Sequence, residues 1–235
     1  MTDPTLRVVI GTAGSGKSTI AQRIAREHAA AYLDKDAMSS RFVEAALLAA
    51  GHNAGDRESN AFYRERILPL EYDSLLDVAG VNLRIGRPVV IDAPFGPYLP
   101  DPDFIATAAA RFDWPPVEVE VIQVRVSPET LQHRLRERGL ERDRWKLDHW
   151  EEYWADHGTQ TCAWTGVRLS EVSNDADDSM VWTGPTPSRG TQQPLSATRA
   201  TSSRDTSGAE VTQLSVAARR LDGFGRTIRS SEEER

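Results

Sequence analysis

The residue pattern with the clearest chemistry lies near the start of the chain, where Gly11 to Ser18 reads GTAGSGKS. It matches G-x-x-x-x-G-K-[ST] in full, a pattern typical of a loop whose backbone N–H groups surround a chain of phosphates. Lys17 would reach the terminal phosphates, and the Ser18 hydroxyl would bind a magnesium ion that bridges the same oxygens. The predicted nucleotide-binding residues are therefore Gly11, Thr12, Ala13, Gly14, Ser15, Gly16, Lys17, Ser18 and Thr19.

Three aspartates follow segments that are typical of strands. Asp92 ends VVID and is a candidate magnesium ligand, with a turn cap before Pro94 as the alternative. Asp34 and Asp36 in YLDKD are both candidates for the base that takes a proton from a hydroxyl acceptor. Asp36 has the alternative role of N-cap of the following helix, and Lys35 between them is interpreted as surface charge.

An arginine-rich segment, RLRERGLERDRWK, runs from Arg134 to Lys146. Arg134 and Arg138 are four residues apart and so share one face of a predicted helix that ends at Gly139. Arginines on a mobile segment near phosphates stabilise the charge of a phosphoryl-transfer transition state. The alternative is a solvated helix whose arginines pair with Glu137 and Glu141.

The elements that would position these residues alternate between strand and helix along the chain. Apolar, β-branched runs predict strands at 6–10, 32–34, 89–91 and 117–126, with a weakly signalled last strand at 167–169. Helical patterns cover 18–30, 36–50, 61–85 and 128–138, the third with Pro69 at a start or kink and the last with Ser127 as N-cap. In 36–50, Phe42, Ala46 and either Ala49 or Ala50 are predicted to share one apolar face. This alternation favours an α/β fold with a parallel sheet, whose ligands bind at the carboxyl ends of the strands.

Composition narrows the class of protein further. The 235 residues are 39% hydrophobic and carry a formal net charge of -7. Residues 1–182 hold 20 basic and 29 acidic side chains, so nucleic acid is a possible partner but not a favoured one. Apolar runs are too short to span a membrane, no signal-peptide pattern is present, and there is a single cysteine, Cys162. A cytoplasmic protein that does not bind membranes is expected.

The chain is predicted to divide into a domain at 1–182 and a low-complexity tail at 183–235. The tail is rich in Ser, Thr, Gly and Arg and poor in large apolar residues, which predicts disorder. Four apolar residues recur there at helical spacing, so a short helix could form on a protein partner: Val211, Leu214, Ala218 and Leu221.

The phosphate loop, the aspartate pair, VVIDAP and the arginine-rich segment, in this order over Leu6 to Trp150, resemble the P-loop kinase superfamily. Within it they resemble the AAA-type ATP-binding group that is similar to polynucleotide kinase, zeta toxin and chloramphenicol phosphotransferase. The resemblance implies a three-layer fold around a five-stranded parallel sheet, with ATP and Mg²⁺ as cofactors. It also implies that Asp36 is the base that activates a hydroxyl acceptor, and that Arg134 and Arg138 are lid arginines.

The sequence therefore predicts a kinase that transfers the γ-phosphoryl group of Mg-ATP to a hydroxyl of a small molecule or a nucleic-acid end. Lys17, Asp36, Arg134 and Arg138 would be the catalytic residues, and Ser18 and Asp92 would bind the metal. Residues between Phe42 and Phe95, including Tyr63, Arg66 and Tyr72, would shape the acceptor pocket. The alternative is a nucleotide-binding ATPase or switch whose tail engages a protein partner and which has no phosphoryl acceptor.

Overall fold

A six-stranded sheet forms the centre of the structure, a computed structural model that describes residues 4–57, 60–140, 143–175 and 181–182. The strands, in chain order, are β1 (Thr5–Ile10), β2 (Ala31–Asp34), β3 (Val89–Asp92), β4 (Glu118–Arg125), β5 (Arg168–Ser173) and β6 (Val181–Trp182). They lie in the order β2-β3-β1-β4-β5-β6. The first five are parallel, which confirms the expected five-stranded parallel sheet, and β6 adds a short antiparallel pairing with β5.

Seven α-helices connect or flank these strands in the described part of the chain. They are α1 (Lys17–Glu27), α2 (Lys35–Ala49), α3 (Leu68–Arg84), α4 (Phe104–Arg111), α5 (Pro128–Arg138), α6 (Arg144–Asp148) and α7 (Trp150–Tyr153). Within the helical stretch expected at 61–85, α3 begins at Leu68, which confirms Pro69 as a helix start, and Tyr63–Ile67 before it forms a π-helical turn. No described helix is both long and apolar enough to cross a membrane.

Side chains alternate between the two faces along each strand, so the apolar strands present apolar side chains on both faces of the sheet, and helices cover both. On β1, Val8 and Ile10 face the side on which α3 and α4 pack, and Val9 faces α1 on the other side. All three are at most 1% exposed. This burial on both faces explains why β1 ends in the apolar run Val8 to Ile10, and the loop that follows Ile10 lies at the carboxyl edge of the sheet.

The predicted buried face of α2 is wrong. Phe42 is 77% exposed, whereas Val43 and Leu47 are at most 1% exposed. The reason is tertiary, because the π-helical turn packs its Tyr63 and Ile67 side chains against Val43 and Leu47. The helix has too little apolar asymmetry for its sequence alone to reveal which side this turn covers.

The weakly signalled last strand is a full strand, β5, that pairs with β4 over six residues. Only Ser170 and Val172 of it are buried, while Arg168 and Glu171 are exposed, so its apolar signal is faint. The predicted tail at 183–235, with its proposed amphipathic helix at 211–221, lies outside the described residues.

Candidate active site

The loop between β1 and α1 is held in place by the segment that follows β5. Gly16 has φ +84° and is the N-cap of α1, so the N-terminus of α1 adjoins the loop directly. A Cβ on Gly16 would collide with the side-chain amide of Asn174. That amide donates a hydrogen bond of 2.7 Å to the carbonyl oxygen of Ser15. Asn174 is thus a loop-positioning residue that the sequence analysis did not identify, because 159 positions separate the two residues.

Helix α5 lies directly on this loop and brings an arginine to it. A Cβ on Gly14, where φ is +89°, would lie 2.9 Å from Leu131 Cδ1 and 3.0 Å from Leu135 Cδ2. These two leucines are fully buried. Between them on the helix, Arg134 lines the same cleft as the loop, with its Nη1 3.9 Å from a Cβ built on Gly16. Because Gly14 has no side chain, α5 can pack closely against the loop, and this packing places the Arg134 guanidinium beside the loop.

Lys17 lies among carboxylates at the start of α1. Burial lowers the pKa of Lys17, and the negative charges of Asp92 and Asp36, with a smaller contribution from Asp34, oppose that shift. The positive charge of Arg138 lowers it further. The folded chain therefore brings these five predicted charged groups to one region, although 121 positions separate Lys17 from Arg138.

Asp92 ends β3 and is 3% exposed. Its Oδ2 accepts a hydrogen bond of 2.8 Å from the Tyr32 hydroxyl, Ser18 also hydrogen-bonds it, and its buried Oδ1 has no hydrogen-bond partner. Burial raises the pKa of Asp92, and Lys17, Ser18 and Tyr32 oppose the rise.

This carboxylate and hydroxyl fit Mg²⁺. The ion is bound by oxygen atoms, commonly through one or two carboxylates plus phosphates and waters. The unpartnered Oδ1 of Asp92 supplies such an oxygen next to the Ser18 hydroxyl. Among the described residues no group of three or more His, Cys, Asp or Glu side chains forms a metal cluster. The fit is therefore to a cation that nucleotide phosphates would also bind.

The two aspartates of YLDKD have different surroundings. Asp34 pairs with Asp92 in the parallel register, and its Oδ1 accepts a 3.0 Å hydrogen bond from the backbone N–H of Ala37. Asp34 therefore caps α2, and the alternative of Asp36 as N-cap is wrong. Asp36 lies in the first turn of α2, where its side chain is 48% exposed and lines the cleft.

The interpretation of Lys35 as surface charge is wrong, because the residue is only 5% exposed. Its side chain lies between α2 and α3, where it pairs with Glu71. The sequence contained no signal for this, because a lysine between two aspartates at the start of a helix is ordinarily solvated.

Arg138, at the end of α5, is anchored by Asp143, the residue that precedes α6. Arg138 Nε and Nη2 donate to the Asp143 carboxylate at 2.5 and 2.6 Å, and Lys146 Nζ lies 3.3 Å from Asp143 Oδ1. Burial would raise the pKa of Asp143, but the hydrogen bond from Arg138 and the charge of Lys146 outweigh it and hold this pKa below its ordinary value. Glu141, one of the two partners considered from sequence, lies outside the described residues.

A single cleft of about 1660 Å³ contains the loop, the aspartates and the arginines. It is also lined by residues from the π-helical turn, α3 and the segment before β5, including Tyr63, Tyr72 and Gln160. Of the three residues expected to shape the acceptor pocket, Tyr63 and Tyr72 line the cleft. Arg66 is exposed and is not part of the lining, which Arg64 joins instead.

Comparisons with known proteins agree with this architecture. A protein-family model described as AAA_33, AAA domain, matches residues 6–157. A candidate kinase from Chloroflexus aurantiacus has a similar solved structure, with 20% identity and a TM-score of 0.51 over 74% of this chain and 86% of that one. A sugar kinase from Janibacter sp. HTCC2649 gives 18% identity and a TM-score of 0.49 over 72% and 85%.

The APS kinase of Mycobacterium tuberculosis gives 17% identity and a TM-score of 0.44 over 75% of this chain and 92% of its own. No curated protein sequence is significantly similar to this chain. At these identities the Chloroflexus structure supports the fold, and the family match supports the resemblance expected from the motifs.

Proposed function

Because this chain belongs to the AAA_33 family of AAA domains and folds as a P-loop kinase, we propose that it is an ATP-dependent kinase that phosphorylates a hydroxyl group. The observation that carries the proposal is the convergence of Lys17, Asp36, Asp92 and Arg134 on one cleft. The cleft extends well beyond the phosphate loop, which leaves space for an acceptor beside Tyr63 and Tyr72. A protein that only bound a nucleotide would not need a carboxylate facing that space.

In the proposed mechanism, the loop from Gly11 to Thr19 binds the phosphates of ATP through its backbone N–H groups and the N-terminus of α1. Lys17 and Arg134 place positive charge beside the γ-phosphate, and Arg138 does so from the end of α5. These charges stabilise the negative charge that spreads over the transferred group in the transition state. The reaction then depends on how accurately the acceptor is oriented.

Asp36 is the proposed base. It takes the proton from the acceptor hydroxyl while that oxygen attacks the γ-phosphorus and the bond to ADP breaks. Asp34 is less suited to this role, because its carboxylate already caps α2 by accepting the backbone N–H of Ala37. Asp36 has an exposed carboxylate on the cleft wall.

Mg²⁺, held by Ser18 and Asp92, would neutralise charge on the β- and γ-phosphates when bound. Tyr32 leaves one oxygen of Asp92 available for that role by donating its O–H to the other. Burial raises the pKa of the Tyr32 hydroxyl, so it remains a donor at neutral pH.

The proposal names the acceptor only as a hydroxyl compound, and it includes a protein partner for the predicted tail at 183–235 without identifying it. An assay that follows labelled phosphate from [γ-³²P]ATP with Mg²⁺ into 5'-hydroxyl oligonucleotides, nucleosides, sugars and hydroxylated antibiotics tests it. We expect label in one class of acceptor. Label released only as inorganic phosphate, at the same rate by wild type and by Asp36→Asn, would indicate the ATPase or switch instead.

The variant Asp36→Asn tests the base. We expect it to lower kcat by about 10²- to 10⁴-fold, the range that general base catalysis contributes, with unchanged binding of ATP. Asp77→Asn, an exposed aspartate on α3 outside the cleft, is the matched control and should transfer normally. Equal rates for Asp36→Asn and wild type would refute Asp36 as the base.

A further inference from the structure

A buried ion pair lies next to Tyr63 and Tyr72, the two tyrosines that line the part of the cleft proposed for the acceptor. Lys35 Nζ is 2.9 Å from Glu71 Oε1, and the two side chains are 6% and 3% exposed. The pair joins the first residue of α2 to the first turn of α3. Lys35 Nζ also lies 3.3 Å from Asp36 Oδ1, so one ammonium group contacts both a buried and an exposed carboxylate.

Glu71 is fully used by its neighbours. Oε1 accepts from Lys35 and from the hydroxyl of Ser39, and Oε2 accepts a 2.6 Å hydrogen bond from the Tyr63 hydroxyl. Burial, together with the negative charge of Glu71, raises the pKa of Tyr63, so its hydroxyl stays a donor. Three donors from α2 and the π-helical turn thus fix this carboxylate, and the carboxylate in turn fixes Lys35.

The position of Lys35 is also restricted from the cleft side. Its Nζ lies 5.7 Å from the centre of the Tyr72 ring, and the Tyr72 hydroxyl accepts a 3.0 Å hydrogen bond from the backbone N–H of Phe95. Phe95 follows β3, the strand that ends at Asp92. The network therefore connects α2, α3 and the residues after β3, each of which contributes residues to the lining of the cleft.

Stability of the fold does not account for this arrangement. A lysine in the first turn of a helix is unfavourable, because the helix N-terminus carries partial positive charge. Burying an ion pair costs desolvation that apolar residues of similar volume avoid. What the arrangement does achieve is a fixed cation next to Asp36, a side chain that is otherwise half exposed.

We propose that Lys35, held by Glu71, is a positioning residue that orients the Asp36 carboxylate towards the acceptor hydroxyl. The inference rests on the proposed kinase function and adds to it a device that no motif contains. Proton abstraction requires the base within hydrogen-bond distance of the hydroxyl, and a rotamer change of Asp36 would remove it from that position. Ser39 and Tyr63 act one step further away, through Glu71.

The test is the double variant Lys35→Met/Glu71→Gln, which removes both charges and leaves neither buried without its partner. The readouts are label transfer from [γ-³²P]ATP to the accepting member of the panel, and labelled phosphate released to water. We expect kcat to fall about 10- to 100-fold, the cost of a displaced catalytic group, while the KM for ATP changes less than about twofold. Loss of kcat and ATP affinity together, or an unchanged kcat, would overturn the proposal.

Arg7→Met/Glu120→Gln is the matched control. It removes a 3.0 Å ion pair between β1 and β4. Each of the two side chains is 15% exposed, and neither lines the cleft. We expect it to change stability without the selective loss of kcat. If it lowers kcat as much as Lys35→Met/Glu71→Gln does, the effect is general loosening of the fold and the proposal fails.

A third background separates this inference from the proposed function. In Asp36→Asn, the double variant should lower kcat no further, because the pair acts through that carboxylate. An additional loss of the same size would show that the pair acts elsewhere. Normal transfer by Asp36→Asn alone would refute Asp36 as the base, whereas loss in Asp36→Asn with none in the double variant would refute only the positioning role.

Discussion

The anchor between Arg138 and Asp143 predicts a measurable loss of stability in Asp143→Asn. The Asp143 side chain is 1% exposed and accepts two charge-assisted hydrogen bonds from Arg138, with Lys146 also adjacent. Breaking a fully buried ion pair costs about 3–5 kcal/mol. Arg138 is 32% exposed and can regain water, and asparagine keeps one acceptor oxygen, so we expect about 2 kcal/mol. For a domain of this size that corresponds to a Tm lower by about 4–8 °C.

Thermal unfolding followed by circular dichroism at pH 7 measures this loss, and its pH dependence identifies the cause. The pKa of Asp143 is below 3.8 in the folded protein, so its stabilisation is complete above that pH and is lost as the pH falls through the folded pKa. The Tm difference between wild type and Asp143→Asn should therefore shrink below about pH 3.8.

Asp148→Asn is the control, because Asp148 is an exposed acid at the end of α6, the short helix that follows Asp143. It should leave Tm within about 1 °C of wild type. If Asp143→Asn shifts Tm no more than this control does, or if its shift persists unchanged at low pH, the anchor does not stabilise the fold by the reasoning above.

Two further outcomes follow from the site. Tyr32→Phe removes the O–H that occupies Asp92 Oδ2, so the Mg²⁺ concentration for half-maximal transfer should rise about tenfold, and an unchanged Mg²⁺ dependence would contradict this orienting role. Because burial lowers the pKa of Lys17 in the free protein, ATP phosphates should raise it on binding, so at any pH where free Lys17 is partly deprotonated binding takes up protons and weakens as pH rises. Calorimetry in two buffers with different ionisation enthalpies measures this uptake, and identical heats in both would exclude it.

Much of the fold could be predicted from sequence because its signals are local. A β-branched run followed by GTAGSGKS and a helical stretch specifies strand, loop and helix with no information from the rest of the chain. The helix after Ser127 was equally clear, since Ser127 Oγ accepts from the Thr130 N–H as an N-cap should. The π-helical turn and the short helices α4, α6 and α7 were missed, because such brief elements form mainly through tertiary packing.

The candidate site divides in the same way. Lys17, Ser18, Asp36, Asp92 and the two arginines were found from motifs, and the structure places all of them in or beside one cleft. The functions assigned to them remain predictions. Their partners were not found, because those residues lie far away in sequence and have no pattern of their own.

The sequence by itself determined which chemical groups this protein has and the order in which strands and helices carry them, since both depend on residue type and short-range spacing. Only the tertiary structure decided that Lys35 is buried on Glu71 and that Asn174 holds the phosphate loop. Burial and pairing depend on contacts between residues distant along the chain. Such contacts exist only after the sheet has brought the ends of its strands together.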